Sequence, residues 1–262
     1  MGRVVARTFV GLLVASLFVP GCGESPAKPD ARPRADAHVP NYSCANQPVP
    51  NPLPDTITAT GMVFQPGIPG ISVDTPLPNI LIQAFEVGSN RILSSTVSDE
   101  NGDYVLVTQG ETEPIDIFLK VSNAFYLESR LFPPRPPSAD IEFDIPVFHI
   151  EDRDRVELRA EVEQQTDLAF AVVAVVDCDF FPVENAVVTA TPAGSNIIYQ
   201  DPLGFPHPNI EKTSHEGFAF IFNLPVGDVT FTASVDGVQF LPVTARVGRW
   251  TDGIIVGVGV GP

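Results

Sequence analysis

The side chains of this sequence that could do chemistry are few and scattered. Tyr199, His207 and His215 offer phenolate and imidazole, ligands that suit iron. The two histidines are eight apart, however, and no second tyrosine lies near them. The run Asp99-Glu100-Asn101-Gly102-Asp103 puts several oxygen donors into one short loop, as a hard cation wants. It lacks the full spacing and the distal bidentate glutamate of a helix–loop–helix calcium site, and reads more simply as a hairpin turn. Nucleophilic catalysis finds no Gly-x-Ser-x-Gly elbow, and neither Cys44 nor Cys178 sits beside a histidine. His215-Glu216 is not followed by a second histidine at helical spacing, so no zinc-protease motif exists. Trp250, the single tryptophan, could present a flat face to a sugar with help from Tyr126 and Tyr199; a hydrophobic plug at the end of a sandwich explains it more simply. These residues give no catalytic set, no metal ligand set and no cofactor site, and the expectation is of a non-catalytic chain.

The N-terminus suggests an address. Arg3 and Arg7 precede the apolar run from Phe9 to Val19, and small residues with a cysteine follow at Pro20-Gly21-Cys22. A basic start, a short apolar core and a small-residue cleavage site mark a secretory signal. That core is about half the roughly 20 residues a bilayer-spanning helix needs. The stretch from Leu17 to Cys22 resembles the bacterial lipobox, which implies a signal peptide over residues 1–21 and lipidation of Cys22. Several acyl chains together anchor stably where one does not. Gly23 is not the aspartate that favours inner-membrane retention, so the expected place is the bacterial cell envelope, at the outer membrane.

If Cys22 carries lipid, Cys44 and Cys178 remain. In an exported chain two leftover cysteines suit a disulfide, and two free or intermolecular thiols are the alternative. No cysteine or histidine stands near either of them at zinc spacing. The formal net charge of −17 repels phosphate backbones, so nucleic acid is not an expected partner. The expected partners are the membrane, through the lipid, and a protein or glycan of unspecified kind.

The elements that must position these groups follow from punctuation along the chain. Residues 22–55 carry Pro26, Pro29, Pro33, Pro40, Pro48, Pro50, Pro52 and Pro54 with few large apolar residues, and read as an extended tether. Around Tyr42 to Cys44 this tether is expected to dock onto the body. From Thr56 the pattern changes to short runs rich in Val, Ile, Phe and Thr, separated by Pro, Gly, Asn and Asp. Runs at Thr56–Phe64, Asn79–Val87, Ile92–Ser98, Tyr104–Thr108, Ile115–Asn123 and Ile141–Ile150 predict one β-sandwich over residues 56–150. Residues 151–165 are charged and rich in helix formers, which predicts a connecting helix. Runs at Leu168–Val176, Ala186–Thr191, Ile197–Tyr199, Gly217–Asn223, Val229–Val235, Val238–Val247 and Gly253–Gly259 predict a second sandwich over residues 166–262.

The two blocks align with one another. Leu77-Pro78-Asn79-Ile80 answers Glu184-Asn185-Ala186-Val187, and Asp99-Glu100-Asn101-Gly102-Asp103-Tyr104 answers Ser214-His215-Glu216-Gly217-Phe218. The second block adds Asn223-Leu224-Pro225-Val226-Gly227-Asp228, where the first has Gln109-Gly110-Glu111-Thr112. In physical terms Asn101-Gly102 supplies positive φ for a tight hairpin, Asp99 caps it, and Gly217 and Gly227 do like work. This progression resembles the carboxypeptidase regulatory-like domain family over about residues 56–262. The resemblance implies an all-β chain of two tandem prealbumin-like sandwiches, accessory modules that mostly do no chemistry. A remoter resemblance is to intradiol dioxygenases, which use a related sandwich and hold ferric iron with two tyrosines and two histidines; it would engage Tyr199, His207 and His215. The expected function is a surface lipoprotein serving as a structural or adhesive module, with a glycan- or peptide-binding module using Trp250 and the sandwich-end loops as the alternative.

Overall fold

The computed structural model describes residues 38–44, 53–67, 74–89, 91–110, 114–149, 152–201, 204–249 and 252–259. The described residues are all-β apart from one short helix. In order the elements are β1 (Thr56–Gln65), β2 (Thr75–Pro76), β3 (Leu81–Glu86), β4 (Ile92–Val97), β5 (Asp103–Gln109), β6 (Ile117–Ser122), β7 (Glu128–Phe132), β8 (Ile141–Glu142) and β9 (Ile145–Pro146). The helix α1 (Asp152–Ala160) follows. Then come β10 (Ala169–Val176), β11 (Val187–Thr191), β12 (Asn196–Gln200), β13 (Pro206–His207), β14 (Phe218–Leu224), β15 (Gly227–Val235), β16 (Val238–Gln239), β17 (Val243–Val247) and β18 (Asp252–Gly259).

The two sandwiches share a sheet. Nine strands run in the order β13-β12-β14-β10-β18-β7-β6-β3-β4, so strands from both halves lie in one layer. The joint is β18, which pairs in parallel with β10 on one side and with β7 on the other. On one face of this layer lies the sheet of β1, β2 and β5, with β8 and β9 running parallel beside β1. Against the other face lies the sheet of β11, β15, β16 and β17.

Burial follows from this arrangement. In β5, Tyr104 and Leu106 are buried while Val105 and Val107 are exposed, the alternation of a strand with one face on a core. The joining strands behave differently. Ala171, Val173, Val175, Ile221, Ile254 and Val256 enter the core of the second sandwich. Their neighbours Val172, Phe220, Phe222 and Ile255 enter the core of the first. Strands buried on both faces need unbroken apolar runs, and Ala169–Val176, Phe218–Phe222 and Ile254–Val256 supply them.

Several predicted elements change in detail. The helix ends at Ala160 and does not continue to residue 165, because Glu161 turns to φ 54°, the left-handed conformation that terminates helices. Its start is fastened by Asp152, whose carboxylate accepts the His149 N–H at 3.1 Å. The run from Ile141 is broken into β8 and β9 opposite Gly61 of β1, where a Cβ would collide with the Phe143 carbonyl. The run from Val238 is broken into β16 and β17 with Pro242 between, a residue that cannot donate to a ladder. Strand β7 was not foreseen. Its charged residues Glu128 and Arg130 disguise a strand whose Ser129 and Leu131 are buried, and Lys120 on β6 pairs with Glu128 at 2.7 Å.

Candidate functional site

The first constellation is the turn network, which occurs twice. In the first sandwich the buried Ser98 hydroxyl accepts from Ile80 N–H at 3.0 Å and donates to the Leu77 carbonyl at 2.7 Å. Asn79 N–H reaches the Ser98 carbonyl at 3.0 Å, and Ser98 N–H reaches the Ile80 carbonyl at 3.0 Å. In the second, the buried Thr213 hydroxyl accepts from Ala186 N–H at 2.8 Å and donates to the Val183 carbonyl at 2.7 Å. Asn185 N–H reaches the Thr213 carbonyl at 2.8 Å, and Thr213 N–H reaches the Ala186 carbonyl at 2.9 Å. Asn79 and Asn185 both hold positive φ, 59° and 65°.

The glycines correspond in the same way. Gly102 and Gly217 hold φ 81° and 71°, and their carbonyls accept from Val63 N–H at 2.8 Å and Val175 N–H at 2.9 Å. A Cβ on either would stand within 2.7 Å of the Val63 carbonyl oxygen or 2.8 Å of that of Val175. Only Gly102 of the Asn101-Gly102 pair carries positive φ. Asp99 caps the first turn, its Oδ1 accepting from Asn101 N–H at 2.8 Å and Asp103 N–H at 3.0 Å. Those bonds engage one of its two carboxylate oxygens in closing the turn. Gly227 opens β15 at φ 133°, with no neighbour close to its missing Cβ. All these groups do folding work.

The second constellation belongs to the second sandwich alone. Cys44 and Cys178 are bonded, with Cα atoms 5.7 Å apart, which resolves the alternative the sequence left open. The segment His38–Cys44 is thereby strapped to the body, and Tyr42 and Cys44 pack against the core of the second sandwich. Beside the bridge stands Asp177, a buried carboxylate. Its Oδ2 accepts from Asn41 N–H at 2.8 Å and lies 2.6 Å from His38 Nε2. Its Oδ1 accepts from Asp179 N–H at 3.0 Å and Phe181 N–H at 2.9 Å. The His38 ring packs on Phe181 with centroids 4.2 Å apart. Burial, followed by the negative charges of Asp177 and Asp236, pushes the Tyr42 phenol up. The sequence reading overlooked Asp177; its one signal was a carboxylate next to a cysteine.

The third feature is a cleft of about 260 Å³ between the β1/β5 layer and the central sheet. Ile57, Leu106 and Ile141 line one side, and Leu131, Phe218 and Ile255 the other. Among its described lining residues Asp144 is the single ionisable one, and it is exposed at the mouth. A wider groove of about 870 Å³ runs beneath the Pro133–Pro136 loop and past the disulfide. It collects Asp116, Asp179, Asp228, Arg135 and Arg246, and all but the half-buried Arg135 are exposed.

The remaining sequence candidates do not converge. Tyr199 is buried in the core of the second sandwich, and its hydroxyl accepts from Val188 N–H at 3.0 Å. Burial pushes its phenol up, against the opposing effect of that bond. His207 faces Tyr199 in the β12–β13 register but is exposed, its Nδ1 accepting from Asn209 N–H at 3.2 Å. His215 lies 3.3 Å from Glu216. Among the described residues no three His, Cys, Asp or Glu side chains are gathered to hold a metal ion. Cys22 and Trp250 lie outside the described residues, as does most of the tether. Among the described residues no helix is long and apolar enough to cross a membrane.

No protein-family model matches the chain, and no curated protein matches it. Solved structures do resemble it. The shaft pilin spaA from Lactobacillus rhamnosus GG aligns over 78% of this chain and 97% of its own, at 10% identity and a TM-score of 0.26. A putative carbohydrate binding protein from Bacteroides uniformis aligns over 74% and 99%, at 11% identity and a TM-score of 0.26. The Bacillus anthracis TIE protein aligns over 78% of this chain at 14% identity and a TM-score of 0.26, and the chain spans 34% of its length. Superpositions at this level carry no argument about function.

Proposed function

We propose that this chain is an exported, lipid-anchored structural or adhesive module of the bacterial cell surface that performs no catalysis. One observation supports the reading above the others: the buried polar side chains Ser98, Thr213 and Asp177 are each bonded to backbone that shapes the fold, while the deep cleft is lined by apolar groups. A disulfide suits an oxidising compartment outside the cytoplasm. The doubled turn supports a descent of both halves from one carboxypeptidase regulatory-like unit. The anchoring is tested by Cys22→Ala, which should move the chain from the membrane pellet to the soluble fraction. Unchanged partitioning would sink it. Cells lacking the chain should attach less well to surfaces or to one another, and attachment identical to the parent strain would remove the adhesive role.

A second reading rests on the charged groove beneath the Pro133–Pro136 loop, whose mixed carboxylates and guanidinium groups suit a peptide or a glycan. Arg246→Ala should weaken binding of any ligand captured on a glycan or peptide array. Binding untouched by that change, or an array without a hit, counts against it.

A further inference from the structure

The cleft of the first sandwich has a composition that the structural reading leaves unexplained. A close-packed sandwich core closes its two layers together, whereas here Ile57, Ile141 and Phe143 of one layer and Ala174 and Phe218 of the other stay partly open toward a common space of about 260 Å³. A cavity of roughly 150 Å³ lined by such side chains already accepts benzene. At roughly 30 Å³ per heavy atom, the share a water takes in the liquid, this one admits on the order of eight or nine heavy atoms. Its polar lining is sparse and stands apart: the Thr108 hydroxyl is bonded to that of Ser94 at 2.9 Å, and the exposed Asp144 accepts from Met62 N–H at 2.9 Å. An apolar space with a few polar groups to orient the guest is the ordinary make-up of a small-molecule site.

We propose that this cleft binds the alkyl chain of an uncharged amphiphile, with the head left toward solvent. The chemistry of the head follows from charge. The exposed Asp144 of the lining and a net charge of −17 oppose a carboxylate or phosphate head, while an alcohol meets no such opposition. The length of the tail follows from the space, about eight carbons. The site is independent of membrane anchoring and of adhesion, so either can fail without the other.

The test uses the full chain carrying Cys22→Ala, so that no acyl group of its own competes. Hexanol, octanol, decanol, dodecanol and decanoate are titrated by calorimetry below their solubility limits. One-to-one saturable binding should tighten by about fourfold for each methylene, then level off beyond octanol as the space fills. Decanoate should bind about tenfold more weakly than decanol. Ala174→Phe fills the cleft and should abolish binding. If its unfolding midpoint falls, Ile57→Trp at the half-buried opposite wall is read in its place. Absence of saturable binding to any alcohol overturns the proposal. So does affinity that keeps rising through dodecanol, or binding undiminished in the folded filled variant, since each marks an open greasy surface. Decanoate binding as tightly as decanol overturns the uncharged head.

Discussion

The two sandwiches repeat one turn bond for bond and differ in nearly everything around it. Ser98 and Thr213, Asn79 and Asn185, Gly102 and Gly217 stand in matching places with matching partners. The second sandwich is strapped by a disulfide and a buried carboxylate, and its core reaches across Ala171, Val173, Phe231 and Ile254. Among the described residues the first has no counterpart to the strap; it takes Val172, Phe220 and Ile255 from strands of the second half into its core and keeps an apolar cleft. What is repeated is what folding needs. What is not repeated is where a role specific to this chain can reside.

The strap offers the largest way to break the comparison. Cutting the Cys44–Cys178 link, by reduction or by replacing both residues with serine, frees a loop of 134 residues. The chain-entropy model puts the loss at about 4–5 kcal/mol, read as a fall in unfolding midpoint by calorimetry. If the midpoint stays put, the strap does not stabilise the second sandwich.

The repeated turn gives a paired test of intermediate size. Ser98→Ala and Thr213→Val each leave a buried N–H and carbonyl without their shared hydroxyl, a loss of about 1–3 kcal/mol. Gly102→Ala and Gly217→Ala force an L residue into positive φ at about 1–2 kcal/mol, before the carbonyl contact is counted. Urea midpoints should fall alike in each pair. A pair whose members differ strongly would show that the equivalence is geometric and not energetic.

Among the half-buried side chains of β6 and β7, Glu128→Gln removes ion pairs to Lys120 and Arg130 that water partly screens. Its expected loss is about 0.2–1 kcal/mol, smaller in high salt. A larger loss would mean that β7, the first-half strand that pairs with the joint β18, depends on charge more than on Leu131.

Alkaline pH sharpens the comparison last, because it has no effect at neutrality. Burial raises the phenols of Tyr104 in the first sandwich and Tyr199 in the second. The unfolded chain releases these protons near pH 10 while the folded chain still holds them. Stability is therefore whole below about pH 10 and declines above it. Tyr104→Phe should flatten that decline in melts between pH 8 and 12, since its hydroxyl donates to the Phe143 carbonyl and is the group that would ionise. A decline of unchanged steepness would assign it elsewhere.

Much of this was legible in the residues. β1, β4, β5, β11 and β15 lie where alternating apolar residues placed them, and the turn at Asp99–Asp103 lies where its Asp and Gly placed it. The candidate site was less legible. Ser98 and Thr213 look like ordinary strand-end hydroxyls until their partners at Leu77, Ile80, Val183 and Ala186 are brought close. Asp177 shows no motif, because two of its partners, Asp179 and Phe181, offer only local backbone and the other two, Asn41 and His38, are remote in sequence. The apolar run Ala169–Val176 carried the signal of two-sided burial, and β7 hid behind its charges.

The sequence by itself determined the strand and turn chemistry, because a hairpin is closed by groups within a few residues of one another: Asp99 with Asn101 and Asp103, Gly102 by its own backbone. Only the tertiary structure decided that β18 sits between β10 and β7, joining two sandwiches into one layer and leaving a cleft between that layer and the β1/β5 sheet. A strand's exposed N–H and carbonyl groups pair with whichever edge the packed cores bring alongside, and no local pattern along the chain encodes which edge that is.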